Sequence, residues 1–185
     1  MNFSNYIQFY SNAKMPFCKL SNFTHIKDGI MVDGIRYAST EHAFQAQKYV
    51  KEDRWRFGVD GDLGSWEGFG LVSKKSSDYW KKKDNIGVIA KMATNQIKGK
   101  KLGLTRLGDF QSSDELWESI LVKKFSIEEF GNVLRTTGDV YLLEFDRGAK
   151  RNGSRWGGLI EADTLFGENK MGKYLMKVRV NLICK

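Results

Sequence analysis

The sequence predicts one helix-rich α+β domain with a small antiparallel sheet, and three observations lead to this class. The chain has 185 residues, a length that suits a single domain spanning 1–185 with a sizeable buried core. It contains one Pro and 13% aromatic residues, and this composition excludes a disordered or Pro-rich chain. The five segments whose capping residues or apolar spacing predict helices outnumber the three short apolar runs that predict strands.

Capping residues and the helical spacing of apolar side chains predict five helices. Their predicted ranges are about 41–51, 85–97, 112–124, 126–135 and 169–180. Ser39 and Thr40 offer an N-cap to the first helix. Capping boxes that begin at Ser112 and Ser126 open the third and fourth, and Gly138 is expected to end the fourth.

Short apolar runs predict the strands. Residues 7–10 and 140–145 have the length and composition of single strands. Residues 30–37 alternate apolar side chains around Asp33-Gly34, a pair that suits a tight turn, and therefore predict a hairpin.

Two segments are predicted to be loops. Residues 53–73 are rich in Gly and Trp, which favours a long loop, and 53–83 is interpreted as an insertion that carries basic residues. Residues 146–158 form a polar, Gly-containing loop around Trp156. The sequence shows no internal repeat and no linker.

The net charge of +8 lies in one segment of the chain. Residues 74–106 hold ten basic residues against two acidic ones, whereas the stretches before and after are balanced. Tyr79 and Trp80 interrupt the lysines, a pattern typical of phosphate contact combined with base stacking. Lys81, Lys82 and Lys83 are therefore candidates for steering nucleic acid. A solvated basic face that improves solubility explains the same pattern.

Composition also bears on the cellular environment. No apolar run approaches the roughly 20 residues of a membrane-spanning helix, and residues 1–6 lack the features of a signal peptide. Cys18 and Cys184 stand at opposite ends of the chain without metal-ligand spacing, which favours reduced thiols. The expected location is the cytoplasm, and no membrane partner is expected.

The segment from Glu41 to Lys48 carries the most distinctive chemistry. On a helix, Glu41, Phe44, Gln45 and Lys48 share one face, so a carboxylate, an amide and an amine point the same way. An acid that complements the helix dipole and a surface lysine are the alternative interpretations. His42 fits a structural histidine better than a metal ligand, and no metal-binding or nucleotide-binding motif is present.

Five groups of motifs, taken in order, resemble those of the NADAR (NAD- and ADP-ribose-associated, YbiA-like) family. They are Leu20-Ser21-Asn22-Phe23, the run from Tyr37 through Lys48, the run from Lys124 through Glu144 with its Leu134-Arg135-Thr136-Thr137-Gly138 element, Trp156-Gly157, and Gly167 through Arg179. The chain departs from the family pattern where Gly153 replaces an Asp and where Asp109-Phe110 replaces a Trp-bearing element.

The resemblance implies an N-glycosidase that cleaves a ribose C1′–N bond without a metal or other cofactor. It implies Glu41 and Lys48 as catalytic residues, with Lys48 acting either as a phosphate-binding cation or as a nucleophile that forms a Schiff base. The residues expected to contact ADP-ribose or another substrate are Ser21, Asn22, Phe23, His42, Phe44, Gln45, Trp156, Gly157, Asn169 and Gly172.

The resemblance leaves three functions open. The basic segment favours removal of ADP-ribose from guanine bases of nucleic acid, with an ADP-ribosyltransferase toxin as the paired enzyme. The second function is cleavage of ribosylamino-pyrimidine phosphates, which are intermediates of riboflavin biosynthesis. The third, of another class, is a non-catalytic module that binds ADP-ribose or nucleic acid.

Overall fold

The computed structural model describes residues 5–183 of the chain. The sequence-based statements about residues 1–4 and Cys184 lie outside the described residues. Contacts group the chain into two compact units. The first unit combines the chain up to Ser21 with the chain from Phe125 onwards, and the second unit is Asn22–Lys124.

Within residues 5–183, six short strands form three pairs. They are β1 (Tyr6–Phe9), β2 (Ile30–Val32), β3 (Ile35–Tyr37), β4 (Tyr141–Glu144), β5 (Leu159–Glu161) and β6 (Thr164–Phe166). The β2–β3 and β5–β6 pairs are antiparallel, and the β2–β3 pair is the hairpin predicted over 30–37. The β1–β4 pair is parallel, with Tyr6 opposite Tyr141 and Phe9 opposite Glu144.

Helices make up most of the regular structure. They are α1 (Thr40–Ala46), α2 (Lys51–Arg54), α3 (Phe69–Val72), α4 (Asp78–Lys82), α5 (Val88–Ala93), α6 (Gln96–Lys101), α7 (Asp114–Phe125), α8 (Glu128–Thr136), α9 (Ala149–Asn152) and α10 (Lys170–Ile183). Single 3₁₀ turns cover Phe17–Leu20, Trp55–Phe57 and Trp66–Gly68. The helix-rich α+β class is confirmed.

The core of the first unit lies where α10 packs on β4 and α8. Leu142 and Leu143 of β4 and Leu175 of α10 are fully buried there. Arg179 of α10 is also buried, and its guanidinium donates hydrogen bonds to Thr137 Oγ1 at 2.8 Å and to the Val140 carbonyl at 2.9 Å. These bonds tie the end of α8 to α10.

The core of the second unit surrounds α1. This helix packs on α5 and on the 3₁₀ turn Trp55–Phe57, and every residue of Thr40–Ala46 is buried. An α-helix at a protein surface buries only one stripe, so complete burial marks α1 as the central element of this unit. Its polar side chains must therefore find partners inside the protein.

Two predicted helices are shorter than their sequence patterns indicate. The helix predicted over 41–51 ends at Ala46, and the chain resumes helical structure at α2. The helix predicted over 85–97 is divided into α5 and α6. Asn95 explains this division, because its side chain accepts hydrogen bonds from the backbone of Ile97 and Lys98 and so caps a new helix.

Both capping boxes predict a helix but misplace its first residue. At the start of α7 the backbone N–H of Leu116 donates to Ser113 Oγ at 3.1 Å, so Ser113 rather than Ser112 is the capping side chain. The N-cap of α8 is Ile127, which has no capping side chain. Gly138 ends α8 as predicted, with a positive φ of 51°.

The prediction of a long loop over 53–73 is wrong, because this segment contains the end of α2, two 3₁₀ turns and α3. Its glycines serve close backbone packing. A Cβ on Gly64 would lie 1.7 Å from the Gly58 carbonyl oxygen, and one on Gly68 would lie 2.1 Å from that of Asp62. The predicted loop over 146–158 likewise contains α9.

The β5–β6 hairpin was not predicted. Its turn residues Ala162 and Asp163 both have positive φ, 46° and 59°, although neither is Gly or Asn. A hairpin turn of this kind usually carries Asn-Gly or Asp-Gly. The sequence signal for the hairpin is therefore weak.

Candidate active site

The start of α1 is fixed by Ser39 and His42. Ser39 Oγ accepts a hydrogen bond from the backbone N–H of His42 and lies 2.8 Å from His42 Nδ1. His42 Nε2 lies 3.0 Å from the Leu63 carbonyl oxygen. A carbonyl can only accept, so Nε2 carries the proton and Nδ1 accepts from the Ser39 hydroxyl.

These contacts fit the structural histidine that the sequence favours, and the substrate contact that the family resemblance implies for His42 stays a prediction. Its side chain is fully buried and both ring nitrogens are occupied within the protein. Burial lowers the pKa of His42 to about 4, so the imidazole is neutral at pH 7. The ring joins the first turn of α1 to the segment that contains Leu63.

The carboxylate of Glu41 is buried, and both of its polar contacts are made by one oxygen. Gln45 Nε2 donates a hydrogen bond to Oε1 at 2.7 Å, and Lys91 Nζ lies 3.9 Å from the same oxygen. No group within residues 5–183 donates to Oε2. The backbone N–H of Glu41 donates to the Asn22 carbonyl at 3.1 Å.

The sequence predicts that Gln45 contacts substrate. In the structure its amide nitrogen contacts Glu41. Its nitrogen is bound to Glu41, and its side chain is 1% exposed. Gln45 Oε1 is buried without a hydrogen-bond partner among the described residues. Gln45 therefore orients the carboxylate, and its own oxygen is an acceptor that a buried water can satisfy.

Lys48 lies two residues beyond the end of α1. Its ammonium is 4.9 Å from the centre of the Phe44 ring, a distance that permits a cation–π interaction. Burial lowers the pKa of Lys48 to about 8, the nearby cations Lys91 and Arg106 lower it further, and Glu41 opposes the shift. A measurable fraction of this amine is thus neutral near pH 7.

Phe44 was expected to stack on a base, but its ring is part of the core. It is 4% exposed and stacks on Trp117 with ring centres 3.9 Å apart and an angle of 21° between the planes. Phe110 meets it edge-on at 6.1 Å. The sequence pattern missed Trp117, and Phe110 belongs to the element that departs from the family pattern.

Asn22 and Phe23 approach α1 from the preceding segment. Asn22 Oδ1 accepts from Thr40 Oγ1 at 3.0 Å, whereas Asn22 Nδ2 has no partner among the described residues. This nitrogen is available to a substrate acceptor, so the predicted role of Asn22 stays a prediction. Phe23 is half-buried. Ser21 is buried and lies in the first unit.

Gly87 and Lys91 belong to this site, although neither was singled out from the sequence. A Cβ on Gly87 would lie 2.6 Å from Phe23 Cα and 3.1 Å from Glu41 Cβ, so only Gly fits between these residues. Lys91 is one of the ten basic residues of 74–106. Composition does not distinguish it from the other nine, so its contact with Glu41 is not predictable from the sequence.

Asn169, a predicted substrate contact in the first unit, binds the backbone of β4 through its side chain. Asn169 is fully buried and has a positive φ of 47°. Its Nδ2 donates to the Leu142 carbonyl and Tyr141 Oη, and its Oδ1 accepts from the Glu144 N–H. These bonds use both amide hydrogens and one lone pair of the amide oxygen, so Asn169 fastens the segment before α10 to β4. Its predicted contact with substrate stays a prediction.

Gly172 and Gly157 are packing positions. A Cβ on Gly172 would lie 2.1 Å from the Leu142 carbonyl oxygen, and one on Gly157 would lie 2.6 Å from that of Glu144. Both glycines therefore allow close packing against β4, and their expected contacts with substrate stay predictions. Trp156 is half-buried and Arg155 lies over its ring at 5.1 Å, so base stacking by Trp156 stays a prediction.

The side chains of Lys81, Lys82 and Lys83 are exposed at the end of α4. Tyr79 precedes them, is 54% exposed and packs edge-on against Trp80 at 5.0 Å.

Within residues 5–183, no group of three His, Cys, Asp or Glu side chains is placed to hold a metal. No helix in that range is both long and apolar enough to span a membrane.

These features define a helix-rich α+β protein with a buried carboxylate at the start of its central helix. Among solved structures, the chain is similar to the NMR structure of the E. coli protein YbiA. The TM-score is 0.57 at 22% identity, covering 100% of this chain and 88% of that one. This likeness shows a YbiA-like fold, and the activity must be argued from the site. Neither a protein-family model nor a curated protein matches the chain.

Proposed function

We propose that the protein is a NADAR-type N-glycosidase that removes ADP-ribose from guanine bases of nucleic acid. The observation that carries this proposal is a buried carboxylate, Glu41, whose charge acts on Lys48, an amine whose pKa is lowered to about 8. The family-like motifs around these residues and the YbiA-like fold support the same assignment.

The proposed reaction is hydrolysis at C1′ of the ribose. The C1′–N bond breaks, the base leaves with the electron pair and takes a proton, and the oxygen of a water molecule bonds to C1′. Positive charge builds on the sugar as the bond breaks. Oε2 of Glu41 stabilises this charge or accepts the proton of the attacking water.

Lys48 has two roles compatible with this chemistry. As an ammonium it binds a phosphate of the substrate, and as a neutral amine it attacks C1′ of a ring-opened sugar. Attack by the amine would displace the base, which leaves with the electron pair of the C1′–N bond and takes a proton from the amine, and a Schiff base would form at C1′. One water molecule would then hydrolyse the Schiff base, releasing the sugar and restoring the amine. The lowered pKa of Lys48 favours the amine role, because more of the neutral form is present at pH 7.

The basic segment supports nucleic acid as the carrier of the modified base. Its exposed lysines at the end of α4 and the neighbouring Tyr79 suit a polyanion with accessible bases. An ADP-ribosyltransferase must supply this substrate, and we propose a toxin of that class as the paired enzyme.

Two substrates test the proposal. The protein is incubated with an oligonucleotide that carries ADP-ribosylated guanine, and separately with a ribosylamino-pyrimidine phosphate, and products are separated by chromatography. Release of ADP-ribose from the oligonucleotide is the expected result. Turnover of the pyrimidine alone would reassign the enzyme, and tight ADP-ribose binding without turnover of either would identify a binding module.

A further inference from the structure

Lys91 is a lysine of α5 that reaches the buried carboxylate of Glu41. Its Nζ lies 3.9 Å from Oε1 of Glu41, and the Lys91 side chain is 59% exposed while that of Glu41 is 7% exposed. Lys91 thus approaches the carboxylate from the solvent side. One cation of the basic segment 74–106 is therefore part of the candidate active site.

The two polar contacts of Glu41 act on a single oxygen. Gln45 binds Oε1 from within α1, and Lys91 approaches the same atom from α5. Because the carboxylate is planar, fixing Oε1 from two directions also fixes the direction of Oε2. Oε2 has no donor within residues 5–183, so it is the oxygen that remains for a water molecule or a substrate.

We propose that Lys91 is a positioning residue of the glycosidase site, which holds Oε1 of Glu41 so that Oε2 and the neighbouring Lys48 are available to the substrate. The reaction in this inference rests on the proposed function. The effect of Lys91 on the charges of the site is independent of that function.

The titration of Lys48 supports this assignment. The charged groups that face Lys48 are Glu41 on α1, Lys91 on α5 and Arg106 after α6. Burial is the largest cause of the lowered pKa, and Lys91 and Arg106 lower it further. Removing the charge of Lys91 therefore raises the pKa of Lys48. This increase in the pKa of Lys48 is expected whether Lys48 acts as an amine or as an ammonium.

The first test measures catalysis by Lys91→Met, which keeps much of the side-chain length and loses the charge. The substrate is ADP-ribosylated guanosine, which lacks the polynucleotide backbone that the exposed lysines of α4 are proposed to contact. We expect kcat to fall roughly tenfold with a smaller change in KM, because the carboxylate loses one of its two anchors. Lys91→Arg should restore most of the rate. Lys123→Met, at an exposed lysine near the end of α7, is the matched control.

The second test follows Lys48 without any substrate. Trace acetic anhydride labels each lysine according to its neutral fraction, and mass spectrometry gives the labelling of Lys48 as a function of pH. In Lys91→Met the midpoint should rise by about half a pH unit, and in Lys91→Arg and Lys123→Met it should match that of the wild type.

The two tests separate the two proposals. A shifted Lys48 midpoint in a protein that hydrolyses neither substrate would support the influence of Lys91 and reject the proposed function. Hydrolysis of ADP-ribosylated guanosine at the wild-type rate by Lys91→Met, together with an unchanged Lys48 midpoint, would overturn the role of Lys91 and leave the proposed function intact.

Discussion

Gln45 donates a hydrogen bond of 2.7 Å to Oε1 of Glu41, one turn earlier on α1. Residues four apart on a helix are neighbours, so the helix itself supplies this partner. The carboxylate is consequently oriented before any substrate binds, as a group that stabilises developing positive charge should be. Because Gln45 holds Glu41 in place, the role of the Glu41 charge can be tested by a substitution that preserves the shape of the side chain.

Glu41→Gln removes the charge and keeps nearly the same volume. If Glu41 stabilises charge or activates water, kcat for release of ADP-ribose should fall by about 10²–10⁴. Glu52→Gln, at an exposed position of α2, should retain the wild-type rate. Circular dichroism checks that both variants fold. A Glu41→Gln enzyme with near-wild-type kcat would remove Glu41 from the catalytic assignment.

Lys48 can be assigned to one of its two roles by trapping. If the amine forms a Schiff base, borohydride added during turnover should reduce it and leave a stable sugar adduct on Lys48. In that case the rate should also rise with pH through about 8, because the neutral amine is the reactive form. A phosphate-binding Lys48 would give no adduct, and the rate would fall over the same pH range. Mass spectrometry of peptides locates any adduct, and Lys48→Met provides the blank.

Much of the fold is predictable from local sequence signals. The Asp33-Gly34 turn and the end of α8 at Gly138 depend on backbone conformations that few residue types favour. The capping of α1 depends on the side-chain oxygen of Ser39. Such signals involve only a few neighbouring residues, so they are visible in the sequence alone. The β5–β6 turn has no such signal, because Ala162, its first residue with positive φ, rarely adopts this conformation.

The site was only partly predictable for a different reason. The sequence identifies Glu41 and Gln45 as neighbours because their contact follows from helix geometry. The contact of Lys91 with Glu41 spans 50 positions of the chain and depends on packing of α5 against α1. The stacking of Phe44 on Trp117 is unpredictable for the same reason, since Trp117 comes from the distant helix α7.

His42 should remain neutral well below the ordinary range of histidine. Burial lowers its pKa from 6.5 to about 4. In a His25→Gln variant the remaining imidazole signal in an NMR titration belongs to His42, and its midpoint should lie near 4. Because the unfolded chain binds this proton at higher pH, His42 stabilises the fold above about pH 6.5, and that stabilisation should be lost as pH falls through 4. A midpoint at 6 or above would contradict the buried, neutral state.

Gly87 should not tolerate a side chain. In Gly87→Ala the new Cβ would lie 2.6 Å from Phe23 Cα, so the backbone beside Glu41 must shift. We expect the free energy of unfolding to fall by roughly 1–3 kcal/mol and kcat to fall with it. Gly70→Ala is the control, because a Cβ there meets nothing within 4 Å. Urea denaturation measures both variants, and equal stability of Gly87→Ala and wild type would contradict the close packing.

The exposed lysines of α4 should act on polymeric substrates alone. Replacing Lys81, Lys82 and Lys83 together by Gln removes three positive charges that are predicted to contact phosphates. The slope of log affinity against log salt concentration for a single-stranded oligonucleotide should become shallower by roughly 2. Hydrolysis of ADP-ribosylated guanosine should change little.

The matched control replaces three exposed lysines outside the basic segment, Lys14, Lys27 and Lys51, with Gln. It lowers the net charge by the same amount, so it separates contact at α4 from general attraction of a polyanion. Equal changes of the salt slope in both triple variants would show that only net charge matters. Equal loss of activity on the oligonucleotide and the nucleoside in the α4 variant would instead indicate damage to the active site, and the steering role of these lysines would be wrong.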